Sequence, residues 1–489
     1  MSRARTAKQN PSKRTAPQQP ETASKPPETL SDKKYFQEAI QWLLKTAMFQ
    51  KFRLHGNTKW TPIQLCVQTL LWVWSPASSL TKAFTEASSQ AKNLVGKAAL
   101  KTFQGLAHAL LTWTPLFMEE LQVSLHELIA EVSGLRYRKG RWVVLAADGS
   151  RATTPRTRSN ERAFCAKNYG KGKTARYRKK KTKGLRRRKN KKNKPQPQAP
   201  QMWITLMYHL GLGVPWCWKL GPSNSSERQH VMDLLETSHF AENTLFVADA
   251  GFVGYDFWNS ILNKGHDFLV RVGGNVRLLE KLGCQIEKKN GIVYCWPNTA
   301  IKKKFPPLKL RLVKCFVGKK KMSLLTSVLD EDKLTDHEVA QLYKERWGIE
   351  LEFRCLKQTF ERRKLRSDNS DRALVEMEWS IYGMAVIELF ALKEQMSQPQ
   401  TDPLKLSFAK SLDAIRTSLQ NLGKCSKDIQ DIATVLRGAA VDSYERKAAK
   451  AARYKSTTKT KPSCGDPIIT VATPEQCKLF KTIEIQSAI

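Results

Sequence analysis

The pattern of hydrophobic and polar positions changes twice along the chain. Over Tyr35–Leu135 apolar residues recur at helical spacing, and Thr61-Pro62 provides a capping side chain followed by proline at the first helical position. Short apolar runs separated by turn residues then fill Trp142–Val272, which is typical of strands alternating with helices. Helical spacing returns near Asp336. The pattern predicts a central α/β region with helical regions at both ends.

The individual elements follow from the same pattern. The predicted N-terminal helices are Ile63–Trp74, Ser79–Ser89, Ala98–Leu111 and Pro115–Val132. The predicted strands are Trp142–Ala147, Met202–Leu212, Pro215–Leu220, Thr244–Ala248 and Asp267–Val272, with helices at Ser225–Ser238 and Tyr255–Asn263. Residues 273–330 alternate short strand-like pieces with Pro and Gly. A long helix begins near Asp336, and later helices are predicted at Arg372–Glu394, Leu404–Leu422 and Asp428–Ala452.

Charge narrows the class of partner. The 489 residues include 83 Lys and Arg against 44 Asp and Glu, a net charge of +39. A folded core does not require this imbalance, and a polyanion or an anionic membrane is its usual reason. A membrane is the weaker interpretation, because the chain has no apolar run of about 18 residues. The N-terminus also lacks the apolar region of a signal peptide, and the ten cysteines form no C-x-x-C pair, so we expect reduced thiols in the cytosol.

The most concentrated positive charge lies at residues 171–194, which hold 15 Lys and Arg and no acid. We expect this loop, including Arg178, Lys180 and Arg187, to contact phosphate without sequence preference. A nuclear-localisation signal is an alternative that requires a eukaryotic host. A weaker basic patch, Arg446–Lys461, has a solvated helix face as its alternative.

Two aspartates share one local sequence pattern. Asp148 follows Trp142–Ala147 and Asp249 follows Thr244–Ala248, and in each case glycine comes within two positions. The carboxyl end of a buried strand is the edge where α/β folds bind ligands. A simple turn would explain either aspartate alone. Two such strands in one α/β region favour a functional role.

Three glutamates lie in the stretch YKERWGIELEFRCLKQTF, residues 343–360. At about 100° per residue, one narrow stripe of a continuous helix holds Tyr343, Arg346, Glu350 and Lys357. The core face would hold Leu342, Ile349, Phe353, Leu356 and Phe360. Glu345 and Glu352 fall on the far side of that face, where we predict them to be solvated or salt-bridged. Pairing of Glu350 with its basic neighbours is the alternative, but it does not explain the four-residue alignment.

The spacing Tyr343-x2-Arg346-x3-Glu350-x6-Lys357 resembles the Y-R-E-K signature of DDE transposases of bacterial insertion sequences, in the insertion-sequence-four type. Asp148 in LAADGSR and Asp249 in FVADAGFVGYD resemble the first and second catalytic aspartates of that family. The resemblance covers about residues 140–370. It implies an α/β fold with a ribonuclease H-like catalytic core, interrupted by a β-rich insertion.

The resemblance also implies a site. Asp148, Asp249 and Glu350 would be the catalytic residues and the ligands of two Mg²⁺ or Mn²⁺ ions. Phosphates of the transposon end would be held by Tyr343, Arg346 and Lys357. Trp296, in YCWPN, is a candidate for stacking on a flipped base, and packing within a β-core is the alternative for it.

The expected organisation has seven parts. They are a disordered basic tail (1–33), a helical region for DNA-end binding (34–135), the first part of the catalytic domain (136–272), the β-rich insertion (273–330), the catalytic helix region (331–370), a C-terminal helical region for dimerisation (371–455) and a tail (456–489). A plain helical bundle is the alternative for 34–135.

The expected function is metal-dependent cut-and-paste DNA transposition. By resemblance it is performed by a homodimer on paired double-stranded DNA ends, in the bacterial cytoplasm at the nucleoid and not at a membrane. A ribonuclease H-like nuclease and a catalytically idle basic nucleic-acid-binding protein are the alternatives. Retention of all three acids argues against the idle protein.

Overall fold

The computed structural model describes residues 31–165, 199–282, 291–318, 320–398, 402–422, 431–441 and 465–487. The predicted basic loop 171–194, with Arg178, Lys180 and Arg187, lies outside the described residues. So do residues 1–30 of the N-terminal tail and the basic patch 446–461.

The elements are as follows. The α-helices are α1 (Asp32–Leu43), α2 (Pro62–Trp74), α3 (Leu80–Val95), α4 (Phe103–Ser133), α5 (Arg158–Phe164), α6 (Glu227–Thr237), α7 (Tyr255–Asn263), α8 (Asn298–Lys302), α9 (Asp336–Glu345), α10 (Gly348–Arg354), α11 (Ser370–Met396), α12 (Phe408–Asn421), α13 (Ile432–Arg437) and α14 (Pro474–Ser487). The strands are β1 (Val143–Thr153), β2 (Gln201–His209), β3 (Val214–Gly221), β4 (Thr244–Ala248), β5 (Asp267–Val272), β6 (Arg277–Glu280), β7 (Ile292–Cys295), β8 (Leu308–Val317), β9 (Lys320–Thr326) and β10 (Ile468–Val471).

The described strands form one sheet in the order β10-β6-β7-β8-β9-β5-β4-β1-β2-β3. At its centre β4 runs parallel to both β1 and β5, while β2 and β3 continue from β1 as antiparallel neighbours. The apolar runs that predicted the central strands are the buried ones here, so the α/β prediction is confirmed. This central part of the sheet carries the candidate site.

β1 is longer than the sequence predicts. An end at Asp148 is expected from the apolar run, but the strand continues to Thr153. Its parallel pairing with β4 does stop at Ala147 opposite Ala248, whereas its antiparallel pairing with β2 continues to Thr153 opposite Gln201. Asp148 therefore lies where the parallel part of the sheet ends, inside a strand held by one neighbour.

α2 starts where its predicted capping residue indicates, whereas the helix predicted to begin at Ala98 begins at Phe103. Thr61 accepts a hydrogen bond from the Gln64 amide and the Gln64 side chain accepts one from the Thr61 amide, with Pro62 opening α2. The predicted break before Pro115 is wrong, because α4 runs through this proline. Buried side chains on both sides of it, Thr114 and Phe117 among them, hold the two halves of α4 in line.

The two helical regions pack together around α11. This helix is buried along most of its length and contacts α2, α4, α12, α13 and β3. Trp74 Nε1 donates to the Gly383 carbonyl at 2.9 Å, and Trp379 Nε1 donates to Thr114 Oγ1 at 2.8 Å. Residues 34–135 and 371–441 therefore share one core within the described part of the chain.

The β-rich stretch 273–330 extends the central sheet, because β9 pairs with β5. Its far edge is completed from the C-terminus, since β10 pairs in parallel with β6. The Phe480 ring of α14 contacts the rings of Tyr294 and Trp296. The predicted C-terminal tail is therefore wrong for residues 465–487, where short apolar segments gain a packing partner far away in sequence.

Among the described residues, no helix is both long enough and apolar enough to cross a membrane. The described cysteines are free thiols: Cys66, Cys165, Cys217, Cys295, Cys315, Cys355 and Cys477.

Candidate active site

Asp148 and Asp249 meet at one edge of the parallel strands. Ala147 of β1 pairs with Ala248 of β4, and the residue after each of them is an aspartate. The two aspartates therefore lie side by side. Each carboxylate engages a nearby backbone amide through its Oδ1: Gly149 N donates to Asp148 at 2.8 Å, and Gly251 N donates to Asp249 at 2.7 Å. The turn and strand backbones thus orient both acids.

The segment carrying the four-residue signature is not one continuous helix. α9 ends at Glu345, the chain turns through Arg346 and Trp347, and α10 begins at Gly348. A Cβ at Gly348 would lie 3.0 Å from Cε1 of Tyr208 on β2, so glycine lets α10 approach the sheet. A π-helical turn follows at Cys355–Thr359, a departure from regular helix that is frequent at functional sites.

Despite the break, Tyr343, Arg346 and Glu350 lie together. The guanidinium carbon of Arg346 lies 5.5 Å from the Tyr343 ring centroid, and Arg346 Nη2 donates to Glu350 Oε1 at 3.2 Å. Arg346 is only 9% exposed. Burial opposes its charge, but the nearby Tyr343, Asp148 and Asp249 raise the pKa of Arg346 overall. The guanidinium thus pairs with Glu350, as the alternative interpretation held, and also acts on both aspartates.

The pKa of Asp148 is affected by both other acids of the site. Burial raises the pKa of Asp148 to about 6, its bond from the Gly149 amide lowers it, and the charges of Asp249 and Glu350 raise it again. Both other acids therefore lie close enough to act on Asp148.

Lys357 belongs to the same group. Burial and the neighbouring Arg363 lower the pKa of Lys357, whereas the charge of Asp148 raises it. Its ammonium lies 5.8 Å from the Phe353 ring centroid. The lysine therefore lies near the acids at the far end of the signature segment.

The other two glutamates of the segment differ from each other. Glu345 pairs with Lys139 at 2.8 Å, as predicted. The prediction for Glu352 is wrong, because its side chain is buried and hydrogen-bonded to the buried Glu388 of α11. The break and the π-turn rotate the segment away from a single helix, so its angular positions differ from those of a regular wheel.

A fourth carboxylate, which no sequence pattern indicates, lies at this edge. Glu227 is the first residue of α6, after the capping Ser226. Burial together with the charges of Asp148 and Asp249 raises the pKa of Glu227 to about 7, and Arg151 lowers it. An acid at a helix start is ordinary in sequence, so only proximity in the fold distinguishes this one.

Trp296 lies away from this group. It is 4% exposed, its Nε1 donates to the Phe305 carbonyl at 2.8 Å, and its ring faces Phe480. Of the two interpretations of this residue, the structure agrees with packing in a β-core.

The donor set suits a hard divalent cation. Carboxylate oxygens are the ligands that Mg²⁺ and Mn²⁺ prefer, and a cation here would relieve the repulsion that raises the pKa of Asp148. In the part of the chain that the structure describes, however, no three His, Cys, Asp or Glu side chains are gathered as a ready-made metal site.

Comparison with known proteins gives a family match over the region that holds this site. Residues 140–382 match the family described as transposase DDE domain. The chain is similar to the transposase InsG for insertion sequence element IS4 of Escherichia coli strain K12, with 27% identity over 232 residues. That match covers 44% of this chain and spans about half, 51%, of the relative. A solved structure, the piggyBac transposase synaptic complex with hairpin DNA, aligns over 86% of this chain and 84% of that chain at 11% identity, with a TM-score of 0.35.

The matched region, residues 140–382, contains Asp148, Asp249 and Glu350. Residues 140–382 thus carry a transposase DDE domain, and the chain is similar to a transposase of the insertion-sequence-four type.

Proposed function

We propose that this protein catalyses metal-dependent DNA cleavage and strand transfer at the ends of its own insertion sequence, with Asp148, Asp249 and Glu350 as the catalytic acids. The observation that carries the proposal is the convergence of Asp249 and Glu350 on the half-buried Asp148 at one edge of the sheet. These acids come from β1, from the end of β4 and from α10, three elements separated by about a hundred residues each. Such a convergence is costly without a function, because like charges repel.

We propose a ribonuclease H-like core for the catalytic region. The strand order β3-β2-β1-β4-β5, with β1, β4 and β5 parallel, supports this proposal. The β-rich stretch 273–330 would be the insertion between the second aspartate and the signature helix.

When bound, two Mg²⁺ or Mn²⁺ ions would activate the attacking oxygen and stabilise the leaving oxygen of the phosphodiester. The residues of this chain hold and orient the reacting groups. Arg346 fixes the direction of the Glu350 carboxylate through their 3.2 Å bond. Arg346 and Lys357 carry positive charge next to the acids, where we propose that they, with Tyr343, bind phosphates of the transposon end.

The proposed partner is double-stranded DNA, as transposon ends and as target, bound by a homodimer. The net charge of +39 supports a polyanionic partner. The proposed place of action is the bacterial nucleoid in the cytoplasm, since that is where such DNA lies.

The test uses the full chain and a donor DNA carrying the inverted repeats that flank its gene. Asp148→Asn, Asp249→Asn and Glu350→Gln should each retain end binding and lose cleavage and joining by at least about a thousandfold. Glu345→Gln is the matched control, because its partner Lys139 lies outside the acid group. Full strand transfer by Glu350→Gln would refute the assignment, and cleavage without any joining by the parent would instead indicate a nuclease.

A further inference from the structure

We propose that Glu227 is a fourth carboxylate of the active site, binding divalent metal together with Asp148 and Asp249. This inference rests on the proposed function, since the metal site is part of that proposal. It adds a residue from α6, an element that carries none of the three signature acids.

The first support is the space left by Gly149. A Cβ built on Gly149 would lie 2.7 Å from both Cγ and Cδ of Glu227, and closer still to Oε1. Real side chains do not approach so closely, so the Glu227 carboxylate occupies the position that any other residue at 149 would fill. Glycine directly after Asp148 leaves room for the Glu227 carboxylate at this edge of the sheet, and any larger residue there would displace it.

The second support is a similar arrangement at the other aspartate. A Cβ built on Gly251 would lie 2.9 Å from Asp249 Oδ1 and 3.8 Å from Glu227 Oε2. The two oxygens of Glu227 thus lie towards two glycines, one following each catalytic aspartate. One carboxylate therefore spans the ends of β1 and β4.

The two helices at the site lie on opposite faces of the sheet. Gly149 pairs with Thr205, whose hydroxyl hydrogen-bonds to His230 of α6 at 2.9 Å, so α6 covers the face on which Gly149 lies. Tyr208, opposite Ala146, contacts Gly348 of α10 on the other face. Glu227 and Glu350 consequently approach the two aspartates from opposite sides.

If Glu227 binds no cation, its negative charge beside two other acids lowers the stability of the fold. Its carboxylate is half-buried beside Asp148 and Asp249, and no side chain of the described ranges forms an ion pair with it. The charge of Arg151 lowers the pKa of Glu227, but the Arg151 guanidinium lies over the Trp203 ring, 4.4 Å from its centroid. An ionised acid beside two other acids destabilises the fold, whereas a divalent cation would be stabilised by all of them.

The experiment measures Mn²⁺ binding to the full chain by electron paramagnetic resonance of the free ion, with and without end DNA. Glu227→Gln keeps the shape and removes the charge, and it should weaken Mn²⁺ binding by about tenfold or more. Gly149→Ala keeps every acid but displaces Glu227, and it should weaken Mn²⁺ binding similarly. The control is Glu236→Gln on the same helix, an exposed residue paired with Lys264 at 2.6 Å, which should bind Mn²⁺ like the parent.

Fe²⁺-dependent hydroxyl-radical cleavage of the polypeptide locates the ion independently. The parent should be cut near residues 149, 227 and 249, and Glu227→Gln should lose the cut near 227 while its circular dichroism and end binding match the parent. Asp148→Asn distinguishes a failure of the Glu227 proposal from a failure of the proposed function. If Asp148→Asn loses Mn²⁺ but Glu227→Gln binds it like the parent, the role of Glu227 is overturned and the proposed function stands. If no variant changes Mn²⁺ binding and the parent does not cut DNA, the proposed function fails as well.

Discussion

The buried pair of Glu352 and Glu388 should make the stability of this protein depend on pH. The two residues are 4% and 2% exposed, and they share a hydrogen bond. Burial raises the pKa of Glu352 to about 8, and burial together with the Glu352 charge raises that of Glu388 well above its ordinary value. Tyr208 and Cys355, whose pKa values burial also raises, face the same pair.

The direction of the effect follows from proton binding. The folded protein holds a proton on Glu352 at pH values where the unfolded chain, with a carboxyl pKa near 4.5, has lost it. The stabilisation is therefore complete below the unfolded pKa and is lost as the pH rises through about 8. The slope for one such group is about 1.4 kcal/mol per pH unit.

The pH range of the measurement matters because two buried histidines act in the opposite direction. Burial lowers the pKa of His126 to about 4 and that of His209 to about 3, so these residues favour the folded state more as the pH rises towards 6.5. Above about pH 7 most unfolded histidines are neutral, so their contribution changes little there. Between about pH 7 and 8 each of the two raised carboxyls should lower the free energy of unfolding by about 1 kcal/mol, which is about 2 kcal/mol for the pair.

Urea unfolding followed by tryptophan fluorescence, at several pH values in this range, measures the slope. Glu388→Gln should flatten it, because the amide donates a hydrogen bond to the Glu352 carboxylate and removes the competing charge. Glu236→Gln, with its exposed side chain, should retain the slope of the parent. Asp148 and Glu227 also have raised pKa values, and they remain in all three proteins. A slope in Glu388→Gln as steep as in the parent would refute the assignment to this pair.

Three substitutions test the packing of the helical regions by urea or thermal unfolding. Pro115→Ala, at an exposed position inside α4, should raise the free energy of unfolding by about 1–3 kcal/mol, and no gain would mean that the helix is adapted to the proline. Arg362→Met should lower it by about 3–5 kcal/mol, because the buried guanidinium donates to Ser380 Oγ, the Phe360 carbonyl and the Val73 carbonyl; a loss below about 1 kcal/mol contradicts those bonds. Gly383→Ala should lower it by about 1–3 kcal/mol, since the new Cβ would lie 2.8 Å from Val73 Cγ2, and an unchanged value would refute the close approach of α11 to α2.

The pattern of hydrophobic and polar residues predicts the secondary structure correctly where local interactions determine it. Apolar runs in the central region are strands because their side chains fill a buried sheet, and Thr61-Pro62 begins a helix because its cap and its proline satisfy the first turn. The pattern does not predict the secondary structure where pairing with a segment far away in sequence determines it. Pairing with β2 lengthens β1 beyond Asp148, and β6 turns residues 468–471 into a strand.

The candidate site divides in the same way. Sequence alone indicated Asp148, Asp249, Tyr343, Arg346, Glu350 and Lys357, because strand ends and the spacing of the signature are visible in the sequence. Their grouping depends on sheet register, since the pairing of Ala147 with Ala248 makes the two aspartates neighbours. Only the tertiary structure buried Glu352 against Glu388 and brought Glu227 to the glycines after the two aspartates. The physical reason is that burial and through-space charge depend on which surfaces meet, and no periodicity along the chain records that.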